Sequence, residues 1–135
     1  MGPKGSKWIA IFVIVQTGEC VISMKHVHFT DIPAEIPSEE DVKDTTIRWL
    51  ITKKDGAENF TMRLFEMKPD GHTPLHQHDW EHEVFIVKGS GELRTKTEKK
   101  PFKQGDVVFV EPMEWHQFAN TGSEILQFIC VIPYK

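Results

Sequence analysis

His76, His78 and His82 fall within seven residues, and His116 follows on a later apolar run. Imidazole is the commonest transition-metal ligand among side chains, so this set reads first as a metal site. In an extended strand residues two apart point the same way, which aims His76 and His78 at one point. The competing reading puts both in a polar loop facing solvent, beside Gln77 and Asp79. A second His-x-His, His26 and His28, has no ligand-type residue at a useful distance and reads as a surface or edge-strand pair.

The elements that must hold these histidines are short strands. Phe60 to Met67 alternates, with Phe60, Met62 and Leu64 on one face and Thr61 and Arg63 on the other, as in a half-buried strand. Similar runs cover Thr46–Thr52, His82–Val87, Glu92–Thr97, Val107–Val110, Gln117–Ala119 and Ile125–Ile132. Turn residues separate them at Lys68-Pro69-Asp70-Gly71, Lys88-Gly89-Ser90-Gly91, Lys99-Lys100-Pro101, Gln104-Gly105-Asp106 and Thr121-Gly122-Ser123. Closely spaced short strands without a long amphipathic helix predict an all-β sandwich or barrel. Glu35 to Val42, following Pro33, is the one stretch read as a brief helical turn.

A chain of 135 residues suffices for one core without disulfide staples. Sixteen basic against twenty acidic residues, scattered except around Lys96–Lys103, argue against nucleic acid as a partner. Cys20 and Cys130 lie far apart and form no CxxC, which fits a reduced, cytoplasmic setting. Lys4 and Lys7 before the apolar Trp8–Val15 imitate a secretory signal, but Gln16 to Cys20 offers no small-x-small cleavage site. Eight apolar residues fall short of the about twenty that cross a bilayer, so no membrane association is expected. Residues 1–23 are therefore read as an extension, either an extra strand or sequence upstream of a true start at Met24, ahead of a single domain over 24–135.

Gly71 to Gly89 contains His76-x-His78 and then His82, Glu83 and Gly89, and resembles the first cupin motif. Gly105 to Asn120, with Pro112, His116 and Asn120, resembles the second. Both occur in order, and the resemblance runs from about Met24 to Lys135. Three departures stand out. His82 occupies the place, six residues before Gly89, where the family usually has a metal-binding Glu, and Glu83 follows one place later. Pro112 is shifted by one, with Met113 in place of a Gly. Asp70 stands where the first motif usually has Gly. The ligands stay in register; the turns carry the changes. The set is similar to that of small single-domain cupins with four histidine ligands, some holding manganese. The resemblance implies an antiparallel jelly-roll barrel, usually dimeric, with the metal inside its mouth.

The metal set so implied is His76, His78, His82 and His116. Periodicity alone leaves the third position open, since Val84 and Ile86 share the face of His82, while Phe85 and Val87 share that of Glu83. The interval to Gly89 favours His82. Glu81 and Glu83 then become surface residues or acceptors orienting a ligating imidazole, with Glu83 as the alternative ligand. Nitrogen ligands suit Mn, Fe, Zn, Cu or Ni, with manganese favoured by the resemblance. Trp80, Trp115, Phe118 and Cys130 are the candidate pocket residues, each with packing as its plainer role. The function expected is a small-molecule oxygenase or oxidase using the divalent metal. The alternatives are a non-catalytic ligand-binding cupin and a metal-dependent isomerase or lyase. A homodimer is the expected assembly.

Overall fold

The computed structural model describes residues 24–134. The readings made for residues 1–23 lie outside that range. Eight strands follow one another among the described residues: β1 (Lys43–Ile51), β2 (Phe60–His72), β3 (His82–Lys88), β4 (Ser90–Arg94), β5 (Lys99–Lys103), β6 (Val107–Val110), β7 (Gln117–Ala119) and β8 (Leu126–Pro133). They form one curled antiparallel sheet in the order β5-β4-β7-β2-β8-β3-β6, with β1 added along β2. This is an all-β jelly-roll.

The sheet turns its corner within β2. That strand pairs with β8 from Phe60 to Met67, then reaches β7 through His72 opposite Ala119. Between them the register against β1 jumps from Thr45–Met67 to Lys43–His72, so Lys68–Gly71 bulges out. The bulge is held by Asp70 N–H donating to Asn120 O at 3.0 Å and Asn120 N–H donating to Gly71 O at 3.0 Å. Asn120 is buried, and its amide also donates to Met67 O and Glu124 O, so the last residue of the second motif ties this corner shut.

The two halves of the sheet close over an apolar core. Phe128 on β8 stacks on Phe65 of β2 at 5.0 Å and on Phe118 of β7 at 4.8 Å, and Phe102 of β5 meets Phe118 at 5.9 Å. Met67, Val84, Ile86 and Leu126 complete the cluster. Gly91 lets β4 approach closely, because a Cβ there would collide with the Phe102 ring and the Ala119 carbonyl.

Two expectations are corrected, and one left open is resolved. Glu35–Val42 is not helical: Glu35 exchanges both backbone bonds with Ile47, at 2.9 and 2.8 Å, and Pro37 has no N–H to continue a helix. Lys99-Lys100-Pro101 is strand β5 rather than a turn. Pro101 is tolerated because β5 lies at the sheet edge, and the reversal occurs instead at Thr95–Glu98, so β4 ends at Arg94 rather than Thr97. On β2 the interior face carries Arg63, Phe65 and Met67, while Phe60 is 62% exposed. The alternation was right; the continuation through Phe65 and Met67 decides which face is inner.

Candidate metal centre

The four histidines reach one end of the barrel from three places. His76 and His78 lie in the segment leaving β2, His82 opens β3, and His116 stands just before β7. His76 and His116 pair through backbone bonds in both directions, at 3.1 and 2.9 Å, which ties the first motif to the second. Met113 N–H donates to His78 O, fixing the same segment from the β6–β7 connection. Met113 has φ +68° and Asp70 φ +70°. Both positions that depart from the motif glycines thus keep a left-handed backbone that glycine adopts freely.

One ligand nitrogen each from His76, His78 and His116 lies within 4.8 Å of the others, so these three could hold a metal ion. His82 is outside that tight set, yet its ring centroid is 4.7 Å from that of His116 and 5.3 Å from that of His78. It is 5% exposed, and β3 alternates strictly from it, with Val84 and Ile86 buried and Glu83 and Phe85 outward.

The ring nitrogens suit a cation. His116 Nδ1 lies 2.8 Å from the Glu114 carbonyl; a carbonyl only accepts, so this nitrogen carries the proton and Nε2 keeps its lone pair. His82 Nδ1 is buried with no hydrogen-bond partner, an unsatisfied state that a cation in the cluster would help explain. Burial, followed by the nearby positive charge of neighbouring rings and Arg63, pushes His76 down to about 4 and His82 down to about 3. Burial also lowers His78, and it lowers His116 despite the opposing bond to Glu114. All four imidazoles are therefore neutral at pH 7, the form that binds metal.

The cavity beside these rings has a volume of about 60 Å³ and is lined in addition by Glu39, Arg63, Phe65, Thr73, Phe118, Phe128 and Cys130. Of the four candidate pocket residues, Phe118 and Cys130 line this cavity. Trp80 stacks on His78 at 4.4 Å without lining the cavity. Trp115 faces a separate groove, under Lys96 at 4.0 Å. Glu81 and Glu83 are exposed, and Glu83 borders the outer face of the sheet. Glu39 does approach the cluster, 3.7 Å from His76 Nδ1. Neither Glu39 nor Arg63 was identified as a site residue. Glu39 lies 37 residues upstream of its partner and carries no local pattern, whereas Arg63 was detectable by its parity with Phe65 and Met67.

Several known proteins are similar to this chain in sequence or structure. The polyketide cyclase RemF from Streptomyces resistomycificus superposes with a TM-score of 0.79 at 38% identity, covering 83% of this chain and 80% of that one. The 1-methylthio-D-xylulose 5-phosphate methylsulfurylase of Rhodospirillum rubrum is 34% identical over 71 residues, 53% of this chain and 46% of its own length. The oxalate-binding protein of Thermotoga maritima is 36% identical over 74 residues, 52% of this chain and 61% of its own. The match thus spans about half the length of the first of these curated relatives and somewhat more of the second. The cupin domain sequence model matches residues 63–132, from the Arg63 strand through both histidine motifs to the last strand. With the curled sheet and the histidine-lined mouth, that match shows that the chain belongs to the cupin family.

Proposed function

We propose that this chain is a metal-dependent enzyme acting on a small carbonyl- or carboxylate-bearing molecule, with His76, His78, His82 and His116 as ligands to one divalent cation, manganese first among Mn, Fe, Zn, Cu and Ni. The observation that carries the reading is the convergence of three neutral imidazoles within 4.8 Å, with a fourth ring beside them. When bound, the cation supplies Lewis-acid polarisation of a coordinated oxygen. The chain's own residues do the rest. Phe65, Phe118 and Phe128 keep water off the cavity floor, and the Glu114 carbonyl fixes the His116 ring. Glu39 lies 3.7 Å from His76 Nδ1, beside the cluster.

Likeness to a polyketide cyclase over 80% of that protein's chain supports carbonyl activation as the reaction class. The oxygenase or oxidase reading stands second, because a cavity of about 60 Å³ has room for a diatomic oxidant beside a substrate group. A non-catalytic role would match the name of the oxalate-binding relative. One assay separates the three: metal-loaded protein is incubated with poly-keto acids and keto-acids, with and without dioxygen. Turnover in both gas phases is the expected result. Turnover only with dioxygen favours the second reading, and saturable binding without turnover favours the third. We also propose a homodimer, supported by the exposed apolar outer face at Phe85, Val107 and Phe109 and tested by sedimentation equilibrium.

A further inference from the structure

The chain has three arginines, and the environment of one sets it apart. Arg48 pairs with Glu66 at 2.8 Å and Arg94 with Glu92 at 3.1 Å. Arg63 makes no ion pair among the described residues. It sits on the interior face of β2, opposite Cys130 on β8 and Trp49 on β1 in the sheet register. One terminal nitrogen donates to Cys130 Sγ at 2.9 Å, and Nε is buried without a partner. The guanidinium lies over the Phe65 ring at 5.1 Å and the Trp49 ring at 5.9 Å.

These are unusual surroundings for a half-buried cation whose Nε is fully enclosed. A guanidinium offers five donors, and a thiol is among the weakest acceptors available to it. Burial raises the Cys130 pKa despite the neighbouring charge, so the thiol stays protonated and supplies no counter-ion. Phe65, Phe128 and Cys130 surround this position, where an apolar side chain would pack without desolvating a charge. The same cavity faces the histidine cluster, whose neutral rings leave a divalent cation its full charge. Glu39, the one acidic side chain among the described lining residues, stands by His76 and does not pair with Arg63. With a cation bound by the histidines, two positive centres would face one small space whose one acidic lining side chain among the described residues is Glu39.

We propose that Arg63 is the anion-binding residue of this cavity, holding the carboxylate group of a small molecule that lies against the histidine cluster. The assignment deepens the functional reading above and rests on it for the metal. The planar fork of a guanidinium matches a carboxylate, and its unpaired Nε–H is a donor that such a ligand would satisfy. The cavity volume of about 60 Å³ fits the carboxylate end of a ligand, with the remainder reaching out through the mouth.

The test titrates acetate, with neutral acetamide as the control, into manganese-loaded wild type, Arg63→Met and Arg63→Lys by calorimetry. Manganese affinity is measured separately for each protein. Wild type is expected to bind acetate in preference to acetamide. Arg63→Met should lose on the order of tenfold or more in acetate affinity, the scale of a charge-assisted hydrogen bond, and Arg63→Lys should lose less. Manganese should bind Arg63→Met at least as tightly as wild type, because a repelling charge has gone. Equal acetate affinity in wild type and Arg63→Met, with metal retained, would overturn the proposal and leave the metal site standing. Failure of wild type to take up manganese or any other divalent transition metal would instead sink the metal reading. Acetate binding to the metal-free proteins then decides Arg63 on the same comparison. Should Arg63→Met not fold, Arg63→Lys decides: full acetate affinity without the fork would contradict the guanidinium's role.

Discussion

The two ends of the barrel are built from the same three strands and differ in one step of four residues. At the closed end Met67 of β2, Ile86 of β3 and Leu126 of β8 are 0% exposed and belong to the apolar cluster. Four residues along, on the same faces, the strands present Arg63, His82 and Cys130 to the cavity. The comparison teaches how a small domain divides its labour. One end supplies apolar burial, while the other places costly polar groups on strands that this burial has already stiffened.

Breaking the closed end should give the largest effect on stability. Leu126→Ala is expected to lower the unfolding free energy of metal-free protein by about 2–5 kcal/mol, read by urea denaturation, while folded protein still takes up one metal. Breaking the open end should do the reverse. His78→Ala, at a half-buried position, is expected to change metal-free stability by less than about 1 kcal/mol. Its metal affinity should fall by more than the roughly 10- to 100-fold typical of outer-sphere changes, measured by chelator competition. Comparable stability losses in the two variants would erase the distinction between the ends.

Acidification sharpens the contrast, because buried imidazoles disfavour their charged form. The folded-state values, about 4 for His76 and about 3 for His82, lie below the ordinary 6.5. Their contribution is therefore fully present above pH 6.5 and is lost as the pH falls toward those values, since the unfolded chain takes up the protons first. Urea unfolding of metal-free protein should weaken progressively between pH 6.5 and 4, and His82→Gln should flatten that slope. An equally steep slope in the variant would assign the acid sensitivity to other groups.

The smallest effect belongs to the turns at the open end. Met113 holds a left-handed backbone without a side chain suited to it, so Met113→Gly should raise the unfolding free energy by about 0.5–1 kcal/mol. Asp70, whose carboxylate can bond locally in that conformation, should gain less from the same change. Thermal unfolding of the two variants checks the ranking.

What the sequence disclosed follows the same division. The histidines were legible because two-residue spacing and strand alternation are local rules, and His82 sits where that alternation begins. Strands β3, β6 and β7 were legible for the same reason. Strand β5 was not, because Pro101 reads as a turn until its place at an edge is known. Alternation over Phe60 to Leu64 separates the two faces of β2 but does not say which one is inner, because Leu64 is buried while Phe60 on the same face is 62% exposed. Glu39 reaches His76 only through the pairing of Glu35 with Ile47, a contact between segments that no local pattern encodes.

The most direct test of the metal centre is the stoichiometry of manganese bound by chelator-treated, reloaded wild type, His82→Ala and Glu83→Ala, determined by elemental analysis after desalting. We predict one equivalent in wild type and in Glu83→Ala, and a large loss in His82→Ala. Retention by His82→Ala with loss in Glu83→Ala would contradict the four-histidine centre, and no uptake of any divalent transition metal by wild type would contradict the site altogether.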